Sequence, residues 1–136
     1  MAEMRLHHVG FVVANIDTAI EGFLRSLGAS WNGEIYEDPV QRVRVAFIAT
    51  HTQDAQVELV QPLGESSPVF RFLRDKGAGL HHVCYEVDNI EEYLAKMRLQ
   101  GAVIAKRPKP ATAFGGRRIA WVITSERFVI ELLEGR

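Results

Sequence analysis

The stretch "LHHVGFVVANI" at Leu6–Ile16 returns almost unchanged as "LHHVCYEVDNI" at Leu80–Ile90. Seven of the eleven letters agree, at an offset of 74 residues. Both copies run into an amphipathic segment that ends at a Gly-Ala pair, at Gly28 and at Gly101. Glycine is the preferred residue just beyond a helix end. The repeat therefore predicts one strand-and-helix unit that occurs twice in the chain.

The remainder of each unit repeats more weakly. "VAFIA" at Val45–Ala49 matches "IAWVI" at Ile119–Ile123 at the same offset, and "VELVQ" at Val57–Gln61 matches "IELLE" at Ile130–Glu134. Each unit is predicted to be a βαβββ module, so the class is α+β. We expect one domain over residues 1–136, with module one at about 5–62, a linker helix at about 66–76 and module two at about 79–134.

Eight strands are predicted from alternation and β-branched content. The helices of the two modules are expected at Asp17–Leu27 and Glu91–Gln100. The strands are Arg5–Val13, Trp31–Tyr36, Gln41–Ala49, Gln56–Gln61, Gly79–Val87, Ala102–Arg107, Arg117–Thr124 and Phe128–Leu133.

Composition narrows the class of function. The formal net charge is −1, which excludes the basic excess of a nucleic-acid binder. The single cysteine excludes a disulfide framework within the chain, and no apolar run approaches the length of a membrane span. The segment "MAEMRLHH" lacks the apolar core of a signal peptide. We expect a cytoplasmic protein whose partner is a small molecule, with no nucleic acid and no membrane.

Histidines and glutamates also repeat. A glutamate inside an apolar strand is costly to bury without a partner, and two such glutamates at matched positions suggest that they share one. Two imidazoles and two carboxylates suit a divalent ion such as Zn, Ni, Co, Mn or Fe. The residues concerned are Glu58, Glu131 and one histidine from each of the pairs His7/His8 and His81/His82.

Simpler interpretations exist for each residue alone. A single histidine beside an apolar strand is more often structural than a ligand, and a single glutamate usually points to solvent. The internal symmetry favours the joint metal site, but it does not choose one histidine of each pair. His51 is predicted to be an ordinary loop residue.

The two "HHV" strands, the linker "SPVFRFLRDKGAGLHHVCYEVDNI" and the closing "VIELLE" resemble the vicinal oxygen chelate superfamily, which includes glyoxalases, bleomycin resistance proteins and dioxygenases. Within it, they look most like methylmalonyl-CoA epimerases. The resemblance implies two βαβββ modules curled into a half-open, eight-stranded cup. It implies the metal ligands His8, Glu58, His82 and Glu131. Because such a cup leaves sheet edges to cover, we also expect a homodimer.

The resemblance implies proton transfer beside a carbonyl, through an enolate, on a substrate such as an acyl-CoA thioester. Glu131 is the first candidate for the base and Glu58 the second. A glyoxalase I-type lactoylglutathione lyase is the nearest alternative. A metal-free binding or resistance protein is another, and so is a secondary-metabolism cyclase, dehydratase or oxygenase.

One position departs from the epimerase pattern. The resemblance implies an additional glutamate, not a metal ligand, on the strand "QRVRVAFIA", and here Val45 takes its place. No carboxylate occurs between Gln41 and Gln53, so a shift of the alignment by one residue does not supply one. A two-base epimerisation of methylmalonyl-CoA is therefore less well supported.

Candidate substrate contacts lie in "RPKPATAFGGRR". Phe114 is a candidate lid over a ligand, and Gly115 and Gly116 allow close approach of a ligand to the backbone. Basic side chains here suit phosphates or a carboxylate, although a solvated charged loop has the same composition. They are Lys106, Arg107, Lys109, Arg117 and Arg118.

Overall fold

The computed structural model describes residues 4–49 and 55–136, so His51 lies outside the described residues. Nine strands, three α-helices and one short 3-10 helix occur in this part of the chain, which confirms the α+β class. The described residues divide into two compact units. The first unit is residues 8–81, and the second is residues 82–136 together with 4–7.

The first unit carries module one and the linker helix. Its sheet has the strand order β2-β4-β5-β1, with β3 paired to β4. β1 and β5 are parallel, and the other pairs are antiparallel. The elements are β1 (Met4–Val12), α1 (Ile16–Leu27), β2 (Ser30–Trp31), β3 (Tyr36–Asp38), β4 (Val43–Ala49), β5 (Gln56–Pro62) and α2 (Phe70–Lys76).

Helix α1 covers one face of this sheet. The side chain of Asn15 accepts a hydrogen bond from the Thr18 backbone N–H at 3.0 Å and caps the first turn. Gly28 ends the helix in the left-handed conformation, at φ 63°. Ile16 and Ile20 are buried against the sheet residues Ala46, Ile48 and Leu59. Because strand side chains alternate, the next residues along β4 and β5 point to the opposite face.

The predicted strand Trp31–Tyr36 is interrupted, which explains why nine strands form rather than eight. Gly33 adopts φ 83°, a conformation that breaks extended backbone. The Asn32 side chain accepts a hydrogen bond from the Glu34 N–H at 2.9 Å, and the Trp31 indole donates to the Glu34 carbonyl at 2.9 Å. These bonds make a turn and divide the predicted strand into β2 and β3.

The linker helix is shorter than predicted. It begins at Phe70 instead of about residue 66, and no side chain caps it. The residues before it form a turn in which the Ser67 carbonyl accepts a hydrogen bond from the Phe70 N–H at 3.1 Å. The Ser67 hydroxyl instead donates to the Gln41 carbonyl at 3.5 Å.

The second unit carries module two. Its strand order is β6-β9-β8-β7, with β6 and β9 parallel and the other pairs antiparallel. The side chain of Asn89 caps α3, which matches Asn15 in the repeat. The elements are β6 (Gly79–Val87), α3 (Ile90–Leu99), β7 (Val103–Pro110), the 3-10 helix (Thr112–Phe114), β8 (Arg118–Ile123) and β9 (Val129–Glu134).

Two apolar clusters lie on the two faces of this second sheet. Ile90 and Leu94 of α3 pack against one face, where they meet Ala120, Val122 and Leu132. The other face carries a smaller cluster formed by Cys84, Ala111, Ile119 and Leu133, with Phe114 and Trp121 packed against it. None of the helices in the described ranges has the length and apolar character that a membrane span requires.

Candidate functional site

His8 and Glu58 meet on the face of the first sheet that α1 does not cover. Parallel pairing of β1 with β5 sets Glu58 opposite Gly10, two residues beyond His8. The His8 Nε2 lies 3.3 Å from the Glu58 Oε1. Both side chains are buried, and His8 has no exposed surface. The local pairing therefore brings a base and an acid together in a place where neither is well solvated.

The second unit repeats this arrangement with His82 and Glu131. β6 pairs in parallel with β9 and sets Glu131 opposite Cys84, again two residues beyond the histidine. The His82 Nε2 lies 3.2 Å from the Glu131 Oε1, and Glu131 is only 2% exposed. The sequence repeat is thus also a repeat of contact geometry.

The spacing within each pair suits two ligands of one metal ion. Ligand atoms bound at about 2.0–2.2 Å and separated by 90–109° lie roughly 2.9–3.5 Å apart. The two Nε2–Oε1 distances, 3.3 Å and 3.2 Å, fall in this range. An imidazole nitrogen with a carboxylate oxygen is also a donor set that divalent transition metals accept. Each pair therefore fits half of a four-ligand metal site.

The other histidine of each pair contacts an aromatic ring. His7 meets Phe114 edge to face with ring centroids 5.5 Å apart, and His81 meets Phe72 in the same way at 5.0 Å. Both are only partly buried. The repeat alone did not indicate which histidine of each pair is the candidate metal ligand. In the structure, the second histidine of each pair is the one that lies beside a glutamate.

Two aromatic residues that sequence reasoning did not select lie beside these pairs. Phe47 is opposite Glu58 on β4, and its ring is edge-on to His8 at 5.7 Å. Trp121 is opposite Glu131 on β8, and its ring is edge-on to His82 at 4.7 Å. These residues are 74 positions apart, so the repeat itself contained the signal. Each ring therefore packs beside one of the two buried histidines.

Val45 occupies the same face as Phe47 and is buried. Tyr36 is directly opposite Val45 on β3, so the neighbouring Glu37 points to the other face and lies 4.0 Å from Arg44. Asp38 accepts hydrogen bonds from the backbone N–H groups of residues 40 and 41 and stabilises the turn there. Neither acid takes the place of the glutamate that the epimerase resemblance implies at Val45.

The structure separates the four residues predicted to contact substrate. Phe114 packs against the cluster around Cys84, on the Glu131 face of its sheet. Gly115 and Gly116 form the following turn at φ 65° and 88°. The Arg117 guanidinium forms an ion pair with Glu86 and donates to the Glu134 carbonyl at 2.8 Å. Arg117 is therefore already engaged within its own unit, whereas Phe114 borders the candidate site.

Glu86 accepts hydrogen bonds from Arg117 and from Arg5, the latter at 2.7 Å, and its side chain is 14% exposed. Burial alone would raise the pKa of Glu86, but the bonds from Arg5 and Arg117 outweigh it and hold the pKa below its ordinary value of 4.5. A lowered carboxyl pKa stabilises the fold above the ordinary value, and that stabilisation is lost as pH falls through the lowered value.

We expect Glu86→Gln to reduce the free energy of unfolding at pH 7 by about 1–2 kcal/mol, because two guanidinium groups lose a charged acceptor. The reduction should shrink at pH 3, where the wild-type carboxyl is becoming protonated. Urea unfolding at both pH values measures this. Glu92→Gln, on the exposed surface of α3, is the matched control and should change little. An equal loss for Glu86→Gln at both pH values would contradict the electrostatic explanation.

Comparison with known proteins agrees with this geometry. Residues 7–121 match the glyoxalase/bleomycin resistance protein/dioxygenase superfamily. The chain belongs to this superfamily. An ethylmalonyl-CoA/methylmalonyl-CoA epimerase of Cereibacter sphaeroides is 31% identical to it over 119 residues, covering 87% of each protein. The family resemblance seen in the "HHV" strands and the linker is therefore confirmed, and epimerases are among the relatives.

Two further relatives are an epimerase of known structure and a lyase. The solved structure of methylmalonyl-CoA epimerase from Mycobacterium tuberculosis superimposes with a TM-score of 0.86 at 30% identity, covering 97% of this chain and 88% of that one. A lactoylglutathione lyase of Salmonella typhimurium is 27% identical over 135 residues, covering 98% of this chain and 94% of that protein. The named enzymes among these relatives are thus of two kinds, epimerases and a lyase.

Proposed function

We propose that this chain is a divalent-metal-dependent isomerase that moves a proton on a coenzyme A thioester through an enolate. The observation that carries the proposal is the duplicated, buried histidine–glutamate contact, one in each βαβββ module. The epimerase relatives support it, since their names specify acyl-CoA substrates. In this proposal, the two modules act together as one domain.

His8, Glu58, His82 and Glu131 would hold the ion, with each module supplying one imidazole and one carboxylate. When bound, a divalent ion polarises the carbonyl oxygen of the thioester and favours loss of the neighbouring proton. Zn, Ni, Co, Mn and Fe all accept this donor set. Phe47 and Trp121 keep the histidine rings oriented and limit the access of water.

Glu131 is the proposed base. Its carboxylate takes the proton from the carbon beside the carbonyl, and the electron pair of that C–H bond moves into the enolate. Return of a proton to the opposite face of the same carbon completes epimerisation. Glu58 is the second candidate and is related to Glu131 by the repeat, so the two carboxylates would serve opposite faces of the planar enolate. With Val45 in place of a third carboxylate, the metal-ligand glutamates must carry both transfers.

Lactoylglutathione lyase activity is the second candidate function. The 27% identity to the Salmonella enzyme over nearly the whole chain favours it, as does the valine at position 45. The same Glu131 would then move a proton between adjacent carbons of a thiol–oxoaldehyde adduct. A binding protein without turnover is less well supported, because it has no use for carboxylates buried beside imidazoles.

Proton exchange with solvent tests these candidates directly. Metal-reconstituted protein is incubated in D₂O with methylmalonyl-CoA, ethylmalonyl-CoA and the adduct of glutathione and methylglyoxal. We expect one deuterium at the α-carbon of a malonyl thioester, together with loss of stereochemical purity. Conversion of the adduct alone would replace the first proposal with the second. No exchange in any substrate, with metal bound, would contradict both.

A further inference from the structure

Strand β7 forms one edge of the sheet in the second unit and carries three exposed cations, Lys106, Arg107 and Lys109. No carboxylate of the described residues forms an ion pair with any of them. The neighbouring arginines differ, because Arg117 pairs with Glu86 and Arg118 pairs with Glu91 and Glu134. Of the five basic residues in this segment, the three on β7 therefore retain an uncompensated positive charge.

Register places two of these lysines on one face. Lys106 is opposite Trp121, and Lys109 is opposite Ile119. Residues three apart on a regular strand point to opposite faces, but β7 has irregularities between Ile104 and Lys106 and again between Lys106 and Lys109. Each extra residue redirects the strand, so both lysines share the face of Trp121 and Ile119.

That face is the one that carries Glu131. Trp121 is opposite Glu131 on the next strand, so the row across the sheet runs from Glu131 to Trp121 to Lys106. Two strand spacings put the backbones of Glu131 and Lys106 roughly 10 Å apart, and three residues put Lys106 and Lys109 about 10 Å apart along the strand. The lysines thus lie beyond the reacting groups, at the outer edge of the same surface.

We propose that Lys106 and Lys109 form a subsite for the phosphate groups of a coenzyme A thioester. The inference rests on the proposed function, in which the thioester carbonyl lies near Glu131. The acyl carboxylate of a malonyl group is too close to the reacting carbon to reach the edge strand, whereas the nucleotide end of the cofactor extends away from it. Two lysines set well apart suit the separate diphosphate and 3′-phosphate groups.

Lysines on an edge strand also discourage association between sheet edges. That role needs charge along the edge, but it does not need two irregularities that turn both side chains to the Glu131 face. The shared face is therefore what distinguishes a ligand subsite from a purely protective edge.

Calorimetry with unacylated coenzyme A tests the subsite without turnover. We expect Lys106→Ala/Lys109→Ala to weaken coenzyme A binding about tenfold, which corresponds to about 1.4 kcal/mol. Pantetheine, which lacks the phosphates, should bind both proteins equally. Lys96→Ala/Arg98→Ala removes two cations from α3, which packs on the other face of the sheet, and should leave coenzyme A binding unchanged.

Equal coenzyme A affinity in the wild type and the Lys106→Ala/Lys109→Ala variant would overturn the proposal. So would no coenzyme A binding by the wild type, or an equal loss of affinity in the α3 control. Because these measurements need no chemistry, a chain that binds coenzyme A through β7 but fails the deuterium exchange would retain the subsite and lose only the proposed reaction.

Discussion

Glu131→Gln is expected to lower turnover of the substrate that exchanges its proton by about a hundredfold to ten-thousandfold, since that is what general-base catalysis typically contributes. Glutamine keeps the size of the side chain but cannot accept the substrate proton. The buried contact with His82 also loses its charge, which would weaken binding of the proposed ion. Deuterium incorporation per active site, measured at a metal concentration that saturates the variant, gives the size of the effect.

Glu134→Gln is the matched control for this substitution. It changes the same residue type on the same strand, where the carboxylate pairs with Arg118 instead of a histidine. Turnover should stay close to that of the wild type, with a modest loss of stability from the weakened ion pair. A Glu131→Gln enzyme that retains most of its activity would remove Glu131 from the mechanism and make Glu58 the base to test next.

His8→Ala/His82→Ala is expected to reduce bound divalent metal from about one ion per chain to nearly none, because structural and catalytic sites rarely hold such ions with two carboxylates alone. Elemental analysis of protein purified without chelator measures the content. Each single variant keeps three of the four donors and should bind metal with roughly 10²–10³-fold lower affinity, since one ligand is worth several kcal/mol. The single variants keep the test valid if the double variant does not fold.

The adjacent histidines provide the control. His7→Ala/His81→Ala removes the same number of imidazoles one residue away, where each ring meets an aromatic side chain. Metal content should remain at about one ion per chain. Metal that survives the His8/His82 double substitution, or disappears in this control, would mean that the ligands have been assigned to the wrong members of the two pairs.

The repeat made much of the fold predictable. A helix follows each "HHV" strand because Asn15 and Asn89 cap it in the same way, and the two helices end within a residue of their predicted positions. The break between β2 and β3 was less obvious, although "NG" at residues 32 and 33 is a turn signal. It depends on side-chain bonds from Trp31 and Asn32 that alternation alone does not reveal.

The candidate site could be predicted where its residues occur at matching positions in the two modules. The glutamates and the two histidine pairs follow from the repeat alone, and Phe47 and Trp121 also lie within it. The contacts of Arg117 cannot be predicted from the repeat, because its partner Glu86 is 31 residues away in the sequence. This ion pair forms only where β6 and the end of β9 lie close together. The shared face of Lys106 and Lys109 depends on irregular pairing with β8, which a single strand cannot encode by itself.

The parallel pairing of first and last strands in each module has a consequence for how the protein matures. Roughly 50 residues separate the histidine from the glutamate in each contact, so the chain must close a long loop before the two side chains meet. In a nascent or partly folded module, the histidine and the glutamate are still far apart, so each could act only as a single ligand. If the chain binds the proposed ion, the ion would bind late in folding, and chelation should accelerate unfolding more than it slows refolding.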